Sequence, residues 1–161
     1  MYLIDSNVLI EAKNRYYAFD IAPGFWAWLE QAHQQSVACS IEAVRNELLD
    51  GNDELAVWAQ AHTAFFRPID QATTQHFGSL TGWSVSRHFT PAALAAFTGN
   101  DADYLLVAYA RAHHHTVVTH EIASPNARTR VKIPDACSAM GVSTVDTFQM
   151  LRRTGACLDL R

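Results

Sequence analysis

The chain has no apolar run approaching the ~20 residues that a membrane-spanning helix needs, so no helical membrane span is expected. No basic-then-apolar leader opens it, because Asp5 interrupts the first apolar run at once. Cysteine is scarce: Cys39, Cys137 and Cys157 are odd in number and widely spaced, with no CxxC. That argues against a disulfide framework and for reduced thiols in the cytoplasm. A basic excess is also missing. Twelve Lys and Arg face sixteen Asp and Glu, a formal charge of −4. This balance argues against a general nucleic-acid coat protein. It leaves room for a nuclease, whose carboxylates hold metal and whose phosphate contacts need only a local basic patch. Internal repeats, low-complexity tracts and linker-like stretches are absent. What remains is 161 residues, 49% apolar, with four Trp and eight Phe, enough for a single domain over 1–161 built on a real core.

Strand-like apolar runs alternate with helical patterns, which predicts an α/β layer fold. Tyr2-Leu3-Ile4 reads as a buried strand ending at Asp5. Ser36–Cys39 reads as a second strand, with Ser40 capping a helix over 41–51 that Gly51 ends. Helices are expected over 24–35, 52–65 and 70–80, then a loop and a short helix between Gly82 and Gly99. A strong amphipathic helix covers 101–115, and Thr116–Thr119 is a third strand. A short helix near 134–140, a possible strand at 142–145 and a last helix from Asp146 to Arg153 complete the pattern.

Four acids fall near strand ends or on the helices that follow: Asp5, Glu47, Asp103 and Glu121. In a parallel sheet, strand carboxyl ends and the starts of the following helices share one edge, where ligands gather. Asp5, Asp103 and Glu121 can converge there, while Glu47 must reach in from further along its helix. Carboxylates held together raise one another's pKa, and a hard divalent cation such as Mg²⁺ or Mn²⁺ removes that conflict. The matching chemistry is metal-assisted phosphodiester hydrolysis. Each acid also has a plainer reading. Asp5 can be a helix N-cap, Glu47 competes with Glu42, and Asp101 and Asp103 divide capping and ligation between them. Asn7 can orient Asp5. Thr119 can bond a metal-held water or simply end a strand.

At these residues the sequence resembles the PIN-domain family. Asp5 in LIDSNVLI, Glu47 in VRNELLDG, Asp103 in DADYLLVAYA and Glu121 in VVTHE look like its four acidic motifs. The likeness runs from Met1 to about Val145. It implies a three-layer α/β/α domain with a central parallel sheet of four to five strands and the four acids in a cleft at the strand ends. It implies a Mg²⁺- or Mn²⁺-dependent ribonuclease acting on RNA. Many such domains are toxins that dimerise and are held by a small antitoxin. The segment KIPDACSAMGVSTVDTFQML is also similar to a PIN-like subfamily of toxins. The fourth motif departs from the family, which more often has Thr-x-Asp where this chain has Thr119-His120-Glu121.

Other features have ordinary readings beside functional ones. Arg128, Arg130 and Lys132 alternate after Glu121 and read as a solvated face or as phosphate contacts. His113-His114-His115 reads as a helix end, and Trp26, Trp28 and Leu29 as core or interface. A haloacid-dehalogenase-type phosphatase would need a second Asp where Asn7 stands. A PIN-like module that binds RNA or protein without cutting is the non-enzymatic alternative.

Overall fold

Residues 1–99 and 101–159 are described in the structure, a computed structural model. Among these residues, five short strands form one sheet: β1 (Tyr2–Ile4), β2 (Ala38–Ile41), β3 (Phe66–Arg67), β4 (Thr116–Val118) and β5 (Thr144–Val145). Their order is β3-β2-β1-β4-β5, and every pair is parallel. All four residues of β2 are buried. Successive side chains of a strand point to opposite faces, so helices must cover both faces. The architecture is therefore α/β, with the sheet as the middle of three layers. Leu3 stands opposite Cys39 and Val117, and Ile4 opposite Val118. These residues are buried to 1% exposure or less and form the centre of the core.

The strand order places a topological switch at β1 and β4. From β1 the chain builds outward through β2 and β3, then returns to lay β4 on the other side of β1. Connections diverge there and leave a crevice beyond the carboxyl ends of the two strands, the usual ligand position in open α/β sheets. Asp5 follows β1 and Thr119 follows β4, so both stand at the crevice.

Ten helices surround the sheet among the described residues: α1 (Ser6–Glu11), α2 (Pro23–Gln34), α3 (Glu42–Asp50), α4 (Glu54–Ala61), α5 (Gln71–Thr74), α6 (Phe77–Ser86), α7 (Pro91–Thr98), α8 (Ala102–His113), α9 (Ile133–Ala139) and α10 (Thr147–Arg153). α1 runs on into a π-helical turn, Ala12–Tyr16. Caps set many of the boundaries. Asp53 accepts from two backbone amides at the start of α4, Thr90 caps α7 with Pro91 behind it, and Asp146 with Gln149 forms a capping box on α10. α8 is buried at every position from Tyr104 to Ala110, because it packs against α3, α5, α9 and β4. His114 closes it in the left-handed conformation, φ 54°, the helix-end role expected of the His triplet.

Several elements differ from the sequence reading. β2 begins two residues later than Ser36 and runs through Ser40, which is a strand residue and caps nothing. Its hydroxyl donates to the Ile4 carbonyl at 2.6 Å, so the side chain that suits a helix cap joins two strands instead. The helix expected over 52–65 ends at Ala61. His62 leaves helical geometry, a 3₁₀ turn spans Thr63–Phe65, and β3 follows. With only two residues before Pro68, β3 is too short for a periodicity to reveal. α6 extends to Ser86, into the stretch read as loop. Trp26 and Leu29 are core residues, and Trp28 is half-buried against them. All three cysteines are free: Cys39 and Cys137 are buried and Cys157 is exposed. No described helix is long and apolar enough to cross a membrane.

Candidate functional site

Asp5 occupies the N-cap position of α1, yet its side chain makes no cap hydrogen bond. Asp5 is buried at the carboxyl end of β1, 1% exposed. The Thr119 hydroxyl donates to Oδ2 at 2.9 Å, and Asn7 Nδ2 lies 3.4 Å from the same oxygen. Ser6 Oγ lies 3.4 Å from Oδ1. The Thr119 hydroxyl also accepts from the Glu121 backbone amide at 3.1 Å. One small side chain thus ties the end of β4 to the end of β1.

Two carboxyls here are strongly perturbed. Burial, with Glu121 and Glu47 adding repulsion, pushes Asp5 up to about 6 despite the Thr119 hydrogen bond. Burial pushes Asp103 up to about 8, reinforced by Asp5, Asp101, Glu121 and Glu47. Glu47, on the more open side of α3, is raised by partial desolvation and by Asp101 and Asp50, while the Ser6 hydroxyl favours its charged form. Asp101 is the N-cap of α8, and its side chain accepts from the Asp103 amide at 2.8 Å. Capping at Asp101 leaves the carboxylate of Asp103 to face the other acids. Glu42 is exposed on α3 and lines, with Glu47, Asp50 and Asp101, a cavity of about 600 Å³ between α3 and α8.

Glu121 has a different environment from the other acids. Its Oε1 lies 2.7 Å from an Arg130 guanidinium nitrogen and 3.6 Å from Lys132 Nζ. Its Oε2 accepts from the Ile133 amide at 2.8 Å. The side chain is only 7% exposed, and both oxygens are engaged by the chain itself. The extra methylene of Glu over Asp supplies the reach. Val131 and Ile133 are buried, so the alternation of 130–133 turns Arg130 and Lys132 to the side that Glu121 occupies. Arg130 also approaches Asp103 at 3.8 Å. One guanidinium therefore spans two of the four predicted acids at the mouth of the crevice. Arg128 is exposed, and its carbonyl accepts from the Thr90 amide at 2.8 Å.

Among the described residues, no three His, Cys, Asp or Glu side chains close tightly on a common point as a formed ion cage would. The donor chemistry nevertheless suits a hard divalent cation. Asp5, Asp103 and Glu47 offer only oxygen, and burial and mutual repulsion already make their negative charge costly, which a bound cation relieves. Asp5 and Asp103 would be the principal ligands, Glu47 an outer one, and Glu121 an anchor for Arg130 and Lys132. Ser6 is the residue of this group whose role the sequence did not single out. It lies inside the Asp-Ser-Asn motif and stands between Asp5 and Glu47.

Comparison with curated proteins gave no match. A family model described as "Domain of unknown function (DUF4411)" matches residues 2–158, almost the full length, and the chain belongs to that family.

Proposed function

We propose that the protein is a metal-dependent endoribonuclease that hydrolyses RNA phosphodiester bonds with Mg²⁺ or Mn²⁺ at the Asp5–Asp103 crevice. The observation that carries this reading is a buried carboxyl, Asp5, and a half-buried one, Asp103, both with raised pKa, at the switch point of a parallel sheet, with Arg130 and Lys132 nearby. Strongly perturbed acids in a cleft mark functional sites more often than structural ones. When bound, the cation would polarise the phosphoryl group and favour deprotonation of the attacking water. The chain's own residues supply the rest. Thr119, Asn7 and Ser6 hold the Asp5 carboxylate in one orientation. Glu121 fixes Arg130 and Lys132 beside the crevice, where guanidinium and ammonium groups can neutralise a phosphate.

The four-acid resemblance to PIN domains supports RNA as substrate. It also supports a toxin role, with a cognate antitoxin as partner and a homodimer as the working form. One observation favours a second reading, a PIN-like module that binds RNA or protein without cutting: Glu121, the fourth motif acid, has both oxygens occupied by Arg130, Lys132 and the Ile133 amide.

The two readings separate in one assay. Labelled single-stranded RNA incubated with the protein and Mn²⁺ should yield discrete internal cuts, and excess EDTA should abolish them. RNA that stays intact with Mg²⁺ and with Mn²⁺, while still retained by the protein, selects the binding module.

A further inference from the structure

A second cavity, of about 440 Å³, adjoins the crevice on its β5 side. Thr119 and Glu121 line it, so it is continuous with the acid site. Its other walls include His120, Ile122, Pro134 and Phe148. The volume is in the range of small-ligand pockets. Of the residues that line it, Phe148 is 37% and Ile122 82% exposed, and Tyr16, 49% exposed, stands beside it against Phe148 and His120.

The three rings come from three separate elements. Tyr16 ends the π-helical turn after α1, His120 sits between Thr119 and Glu121, and Phe148 is the second residue of α10. Tyr16 meets Phe148 edge-on at 5.5 Å and 86°, and His120 at 6.0 Å and 40°. His120 Nε2 lies 3.1 Å from the Thr147 hydroxyl, which fixes that ring. The wider π-helical turn re-phases Tyr16 relative to the side chains of α1, and such turns recur at functional sites. Arg15 and Lys13 brace the turn through Glu11 at 3.3 Å and Asp53 at 2.6 Å. The result is a half-exposed aromatic surface outside the hydrophobic core.

We infer that the Tyr16–His120–Phe148 surface is a stacking subsite for an unpaired nucleobase of single-stranded RNA, next to the phosphate that the acid crevice engages. The occupant follows from the surroundings. Arg130 and Lys132 are held by Glu121 and attract a phosphate backbone. A chain seated there carries its neighbouring base into the cavity that Glu121 also lines. Bases stack on exposed aromatic rings whatever their identity, and only unpaired bases present a free face. The inference extends the proposed RNA reading.

The test measures binding in an Asp5→Asn background, so that no cutting intervenes. The probes are a fluorescent single-stranded RNA, an abasic oligomer of equal length, and the duplex form. The single strand should bind better than either control. The double variant Tyr16→Ala/Phe148→Ala should weaken single-strand binding by roughly 5- to 150-fold and bring it close to the abasic oligomer. Tyr16→Phe and Phe148→Tyr keep the rings and should retain binding. Single-strand binding unchanged in the double variant, or abasic and base-bearing strands bound equally by the parent, overturns the subsite and leaves the surface to a protein partner. A protein that cuts nothing yet shows base-dependent binding through these rings contradicts the nuclease reading and leaves the subsite standing.

Discussion

Replacing Asp5 with Asn should reduce Mn²⁺-dependent RNA cleavage on the order of a thousandfold or more, because losing a metal-holding carboxylate forfeits several kcal/mol of transition-state stabilisation. The fold should survive. Asn has the shape of Asp, and its side-chain oxygen can still accept from Thr119, which donates at 2.9 Å. Asp5 is 1% exposed and its carboxyl already resists ionising, with a pKa near 6. A neutral amide relieves that penalty, so the metal-free variant should melt no lower than the parent. The combination is diagnostic. A residue retained for packing or capping would lose stability on substitution and leave chemistry intact. Cleavage by Asp5→Asn at the parent rate would show that the crevice is not the reaction centre.

The metal-free protein should lose stability as pH rises from about 6.5 to about 8; below that range the buried neutral His115, whose pKa burial lowers to about 4, works in the opposite direction. In the unfolded chain an Asp releases its proton near 4, whereas folded Asp103 keeps its proton to about 8 and Asp5 to about 6. Between those values the folded state binds more protons than the unfolded state, so the unfolding free energy falls with increasing pH. Below about 4 both states are protonated and the penalty vanishes. Above about 8 the contribution of these two carboxyls is complete. Burial is the main cause for both groups, and like charge adds to it. The summed effect should be several kcal/mol, enough to lower the melting temperature by on the order of 10 °C or more for a chain of this size. Asp103→Asn should flatten the decline and melt higher than the parent at pH 8. Mn²⁺ should raise the parent's melting temperature most at pH 8, where both carboxylates are charged, and raise that of Asp103→Asn much less. Thermal melts from pH 5 to 8, with and without Mn²⁺, check this. A flat profile for the parent between pH 6.5 and 8, above the range in which His115 opposes the trend, would mean that the acids are solvated and do not form a strained cluster.

The sequence revealed the frame of the site better than its wiring. Asp5 was legible because an apolar run followed by a carboxylate has few physical meanings, and β1 ends where that run ends. Asp103 was legible through the pattern of α8, a helix whose length and cap both show in its residues. β3 was not legible, since two residues carry no period. Ser40 misled because Ser favours caps, and only the approach of the Ile4 carbonyl at 2.6 Å shows why a strand keeps it. Glu121 exposed the limit of spacing as a guide. Its position suggested a ligand, but its partners are Arg130, Lys132 and the Ile133 amide, ten or so residues onward in the chain. The alternation Arg130-Val131-Lys132-Ile133 was the one local signal of that contact, and it was read as a separate feature. The aromatic rim could not be read from sequence, because Tyr16, His120 and Phe148 come together only once α1, β4 and α10 are placed.

If Asp5 and Asp103 hold a divalent cation as proposed, Mn²⁺ titration by calorimetry in two buffers of different ionisation enthalpy will register it. Asp103 retains its proton to about 8, so binding at pH 7 must expel it, with close to one proton released per Mn²⁺. The measured heat should therefore differ between the buffers in proportion to their ionisation enthalpies. Asp103→Asn should remove most of that difference, and Asp5→Asn should sharply weaken binding. An absence of Mn²⁺ binding, or binding that neither substitution alters, would contradict the account.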